Sequence, residues 1–149
     1  MYFVDRQRIE DILSYLTEQY QLVNTKEAWN SPLEKLALER ILHVVIEGVL
    51  DVGNQVIDGF IMRDPGSYED IVDILVDEKV IPESDQEAYK VLVQERKSLV
   101  QEYDHMDHEH IMGLLKTYLN TWGKFPGYVR DFLHRELGPV SAFKPETGK

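Results

Sequence analysis

The stretch SPLEKLALERILHVVIEGVLDVGNQVIDGFI, from Ser31 to Ile61, decides the fold. It opens on a helix start signal. Ser31 can cap the free amides, Pro32 fits the first turn where its missing N–H costs nothing, and Glu34 can reach back to the cap. Leu36, Ile41, Val45, Val49, Val52, Val56 and Phe60 then return at helical spacing, so a long buried helix running to about Ile61 is expected. Gly48, Gly53 and Gly59 cost about 1 kcal/mol each, which burial of so many branched side chains outweighs. A helix apolar on most sides needs cover on most sides, so this one is expected to be a central or interfacial rod.

The flanking sequence supplies the cover. Upstream, Val4, Ile9, Ile12, Leu13, Leu16 and Tyr20 make an apolar stripe behind a candidate cap at Asp5; this helix should fade near Asn24, with residues 25–30 as connection. Downstream, Arg63-Asp64-Pro65-Gly66 reads as a turn, and Ser67 with Asp70 opens a short helix through about Glu78. Pro82 breaks the chain, and Ser84-Asp85-Gln86-Glu87 reads as a capping box for a fourth helix to about Tyr103, with Tyr89, Leu92, Val93, Leu99 and Val100 inward. Asp107 can cap a fifth helix carrying Ile111, Leu114, Leu115, Tyr118 and Trp122. Gly123 and Pro126 should interrupt it before Tyr128, Phe132 and Leu137 resume the pattern. The expectation is an all-α antiparallel bundle of five to six helices over residues 1–137, followed by an irregular tail over 138–149. A second copy of the chain could supply part of the cover for the long helix, giving a homodimer.

Composition narrows the function classes. With 149 residues the chain suits one domain, and its lack of cysteine removes disulfide scaffolds, thiolate metal sites and cysteine nucleophiles. Reduced cytoplasm is the matching compartment. The N-terminus has no basic start followed by an apolar run, and Glu47 and Asp51 interrupt the longest apolar stretch, so neither secretion nor a membrane partner is expected. A net charge of −11 opposes nonspecific nucleic-acid binding, so no DNA partner is expected and any RNA contact must be confined to a local cleft. The phosphate-cradling GxxxxGK[ST] loop, GxGxxG, GxSxG and HExxH are all missing, and no cofactor is indicated.

The chemically informative segment is Arg96-Lys97-Ser98-Leu99-Val100-Gln101-Glu102-Tyr103. It resembles the motif of the HepT-like families of the HEPN clan: an arginine, four to six residues, a histidine, one further residue and a tyrosine. The long apolar helix and the helical layout from Val4 to Leu137 share the resemblance. It implies a metal-independent ribonuclease toxin of a toxin-antitoxin system, dimeric, with its motif in an interfacial cleft. It also implies a nucleotidyltransferase antitoxin, which in some pairs silences the toxin by AMPylation of the motif tyrosine. By position, Arg96 would hold the scissile phosphate and Tyr103 would be the modified residue. Gln101 stands where the family has its catalytic histidine. Imidazole can take and return a proton near neutral pH, whereas an amide can only hydrogen-bond.

His105 is a candidate substitute acid/base, four residues beyond Gln101 and on nearly the same face if the helix continued. Arg96 as a structural ion-pair partner and Tyr103 as a helix-end packing residue are the plainer alternatives. On the long helix, Arg40, His43, Glu47, Asp51, Asn54 and Asp58 form one polar stripe. The stripe is either a solvent face or a support in which Glu47 and Asp51 face Arg96 across a cleft. The histidines and acids of residues 105–110 suit a helix start better than a metal site, because neighbours on a helix point apart. Two functions follow: a HepT-like ribonuclease with a modified site, or a noncatalytic helical dimer that binds a nucleotide, RNA or a partner protein.

Overall fold

Local capping sets most helix starts. The computed structural model describes residues 4–138; the expected tail beyond Gly138 lies outside the described residues. The Asp5 side chain accepts from the Arg8 amide and opens α1 (Arg6–Thr25). Ser31 and Glu34 form the full reciprocal cap of α2 (Pro32–Gly59), with Pro32 in its first turn. Ser67 caps α3 (Tyr68–Asp77), and Asp107 caps α5 (His108–Trp122). α4 (Gln86–Gln101) starts differently from the sequence expectation: residues 83–85 form a 3₁₀ turn, so Ser84 lies inside that turn and no side chain caps the helix. The interruption expected at Gly123 and Pro126 is present: α5 ends at Trp122 with Gly123 as its cap. Pro126 occupies the first turn of a separate α6 (Phe125–Leu137), where its missing N–H is harmless.

The helices pack antiparallel. Along α1 and α2, Leu16 meets Gly48 while Tyr20 and Val23 line up with Leu38 to Val45, so one chain ascends as the other descends. α3 and α4 run oppositely, with Lys90 paired to Asp73 and Arg96 over Tyr68. α4 and α5 do likewise, since His110 contacts Glu95 whereas the Trp122 indole donates to the Ala88 carbonyl at 2.8 Å. Tyr89, Trp122 and Phe125 are the largest buried side chains, and the Tyr89 hydroxyl donates to the Thr121 carbonyl at 2.7 Å, joining α4 to the α5–α6 corner.

α2 is the rod expected from its sequence. Leu38, Leu42, Val45, Ile46, Val49, Leu50, Val52, Val56 and Ile57 are buried between α1, α3 and α4. Two glycines allow that close approach: a Cβ at Gly48 would stand 2.6 Å from Leu16 Cδ2, and one at Gly53 would stand 2.7 Å from Ile71 Cγ2. Two expected core residues are instead exposed. Leu36 is 60% exposed because it lies on the outer face shared with Arg40 and Glu47, and Val100, in the last turn of α4, is 43% exposed where it lines a surface groove. Among the described residues no helix is long and apolar enough to cross a membrane.

Candidate functional site

Arg96 is where the outer face of α2 meets α4. Its Nε donates to Glu47 Oε2 at 2.6 Å, and its guanidinium lies over the Tyr68 ring, 4.7 Å from the centroid. The hydrogen bond to Glu47 raises the Arg96 pKa further, so the group stays cationic at any working pH. Among the described residues neither Nη nitrogen of Arg96 has a hydrogen-bond partner. A guanidinium held at Nε with its Nη edge open is arranged to grip two oxygens of a phosphate.

Arg96 opens on a groove of about 510 Å³ between the start of α3 and the last turns of α4. Ser67, Tyr68, Lys97 and Gln101 share its lining. Lys97 gives it a second cation, Glu69 a carboxylate, and Val93 and Val100 an apolar wall. A groove of similar size, about 550 Å³, lies at the other end beside Lys79 and Tyr128. Its Arg135 is already spent on the Lys79 carbonyl and its tyrosine on Asp85, so it presents less unpaired chemistry.

The other site residues expected from sequence divide into two sets. His43 belongs with Arg96: its Nε2 stands 3.7 Å from Glu47 Oε2, the same oxygen that Arg96 holds. Gln101 ends α4 and lines the groove, with its side chain exposed. Asp51 and Asn54 do not join them; they are exposed on the α2 face beyond Glu47 and make no bond to Arg96 among the described residues. One helical turn, about 5.4 Å, separates Asp51 from Glu47 along the axis, which takes it past the arginine's reach. Tyr103 lies past the helix end, 71% exposed and outside the groove lining. α4 stops at Gln101, so His105 is not on the motif face; it sits in an exposed turn, 2.9 Å from Asp104, which it holds at a lowered pKa.

The histidines at 108 and 110 go to separate carboxylates, Glu39 at 2.6 Å and Glu95 at 3.1 Å. Among the described residues no group of three or more His, Asp or Glu side chains is placed to hold a metal ion. Two features were not singled out in the sequence, Tyr68 beneath Arg96 and the Glu39–His108 pair. Tyr68 had a signal: it is a large aromatic directly after the helix cap Ser67, on a short helix whose apolar set was read as starting at Ile71. Glu39 sits one turn before His43 and could have been counted into the stripe.

Residues 6–129 match the family model described as Ribonuclease HepT-like. The chain belongs to the HepT-like family. A Bacillus subtilis (strain 168) relative named "Putative RNase YutE" is 50% identical over 144 residues, spanning 97% of this chain and 100% of that protein. A solved structure described as that of cytosolic protein of unknown function YutE from Bacillus subtilis superposes with a TM-score of 0.91 over 96% of this HepT-like chain. That likeness, at 50% sequence identity and over 100% of the solved chain, bears out the all-helical architecture.

Proposed function

We propose that this HepT-like chain is a metal-independent endoribonuclease whose site is the Arg96 groove. The observation that carries the reading is the Arg96 guanidinium, fixed by Glu47 at one edge and open at the other. RNA would lie across the exposed α4 end with a phosphate on Arg96 and Lys97, while the strongly acidic remainder of the surface repels it elsewhere. The reading makes the protein the toxin-type member of a toxin-antitoxin pair in the cytoplasm, with a nucleotidyltransferase as partner. Tyr103, at 71% exposure, is accessible to such a modifying enzyme. It also makes the protein a homodimer. Leu33 and Leu36, 79% and 60% exposed, continue the His43–Glu47 face of α2 towards its N-terminus and would be covered by a second copy.

The test is cleavage of a defined RNA pool in EDTA by wild type, Arg96→Ala, His105→Ala and Gln101→His. Cleavage by wild type that Arg96→Ala abolishes and His105→Ala leaves intact is the expected result. Gln101, which carries no transferable proton, favours one alternative, a noncatalytic RNA or nucleotide binder; cleavage appearing only in Gln101→His would establish it.

A further inference from the structure

Resting on the nuclease reading, we infer that His43 supplies the proton-transferring imidazole that the motif position, occupied by Gln101, does not. The chain has five histidines. His105 is tied to Asp104 in an exposed turn, His108 to Glu39, and His110 to Glu95, while His134 lies in the last turn of α6. Among the described residues only His43 shares a carboxylate with Arg96: Glu47 Oε2 stands 3.7 Å from His43 Nε2 and 2.6 Å from Arg96 Nε. The side chain is 31% exposed, so it is held on one side and open to solvent on the other. Glu47 thus brings an imidazole, which can take and return a proton, beside a guanidinium that can hold a phosphate.

The step balances with one imidazole. Neutral His43 accepts the proton of the ribose 2′-hydroxyl as the 2′-oxygen bonds to phosphorus. The P–O5′ bond breaks with its electron pair going to the 5′-oxygen, and the imidazolium returns the proton to that leaving oxygen. Products are a 2′,3′-cyclic phosphate and a 5′-hydroxyl. Arg96 neutralises the phosphorane oxygens throughout. The titratable and charged neighbours of His43 are Glu39 and Glu47 on its own helix, Arg96 of α4 on Glu47, and His108 of α5 on Glu39.

The experiment measures single-turnover cleavage of a defined RNA in EDTA against pH. His43→Gln is expected to lose about 10²–10⁴-fold and to lose the acid limb of the profile, because a base must be deprotonated to act. His108→Gln should retain that limb. His43→Ala should regain activity with imidazole added to the buffer, and Gln101→His placed in the His43→Gln background should regain activity by supplying a proton acceptor from the motif position. Circular dichroism of each variant establishes that it is folded. Arg96-dependent cleavage that His43→Gln leaves unchanged overturns the assignment and spares the nuclease reading. Absence of cleavage by wild type overturns both.

Discussion

Replacing Glu47 by Gln should move RNA binding and turnover in opposite directions. The substitution keeps the side chain's shape and removes its charge. Glu47 sits behind Arg96, 2.6 Å from Nε, so a phosphate on the open Nη edge has the guanidinium between itself and the carboxylate. At a separation of about 7 Å and an effective dielectric of about 40–80, the carboxylate repels that phosphate by about 0.6–1.2 kcal/mol. Removing the repulsion tightens binding about three- to sevenfold. Turnover should fall, because an amide oxygen holds Nε less firmly than a carboxylate, and small displacements of a positioning clamp are costly. A loss of about tenfold or more is expected. Folding cannot account for it: the pair is 28% and 38% exposed, so its coupling is below about 1 kcal/mol, or a few degrees in Tm. Affinity is read by fluorescence anisotropy on an RNA blocked at the 2′-position, and turnover by single-turnover cleavage of the unblocked RNA at the same salt. Weaker binding by Glu47→Gln, or unchanged values of both, would refute a phosphate seated on Arg96.

Three further outcomes follow from the packing and the charges. Gly48→Ala and Gly53→Ala should each lose about 1–2 kcal/mol in urea unfolding, because the added Cβ meets buried Leu16 at 2.6 Å with Ile12 Cγ2 at 3.3 Å in the first and the stiff Cγ2 of Ile71 at 2.7 Å in the second, overpacking that outweighs a helix-propensity gain of about 1 kcal/mol. Asp70 is held from 3.8 down to about 2, first by the Arg63 hydrogen bond and then by the Gly66 amide, so its contribution is complete above pH 3.8 and is lost as pH falls towards 2; Asp70→Asn should flatten that part of a Tm-against-pH curve. Leu33→Asp with Leu36→Asp should convert a dimer to a monomer in light scattering while leaving the thermal transition in place, because both side chains are exposed in the single chain.

The sequence made the helices legible because their signals are local. A cap such as Ser31 or Asp107 acts within one turn, and periodicity along α1 or α2 reports directly on which face meets neighbours. It failed where two local rules competed. Ser84 has the pattern of a capping box, yet the preceding Pro82 fixes an extended residue from which a 3₁₀ turn forms before the helix can start. Leu36 has the composition of a core residue, but its angular position places it with Arg40 and Glu47 on the outer face.

The site is less legible for a physical reason. Arg96 and Glu47 lie 49 positions apart, and whether a carboxylate reaches an arginine depends on the axial offset of two packed helices, which no single segment encodes. The stripe from Arg40 to Asp58 showed which α2 residues share a face, so Glu47 and Asp51 were equivalent in the sequence. In three dimensions one turn of helix separates a residue that touches Arg96 from one that faces solvent. The same offset brings His43 to the oxygen that Arg96 holds and leaves His105 outside, although His105 is far closer to the motif along the chain. A family motif read along one helix therefore locates the phosphate grip, while the proton chemistry depends on which neighbouring helix stands opposite it. The absence of an imidazole at position 101 consequently says little about whether one stands beside the carboxylate that holds Arg96.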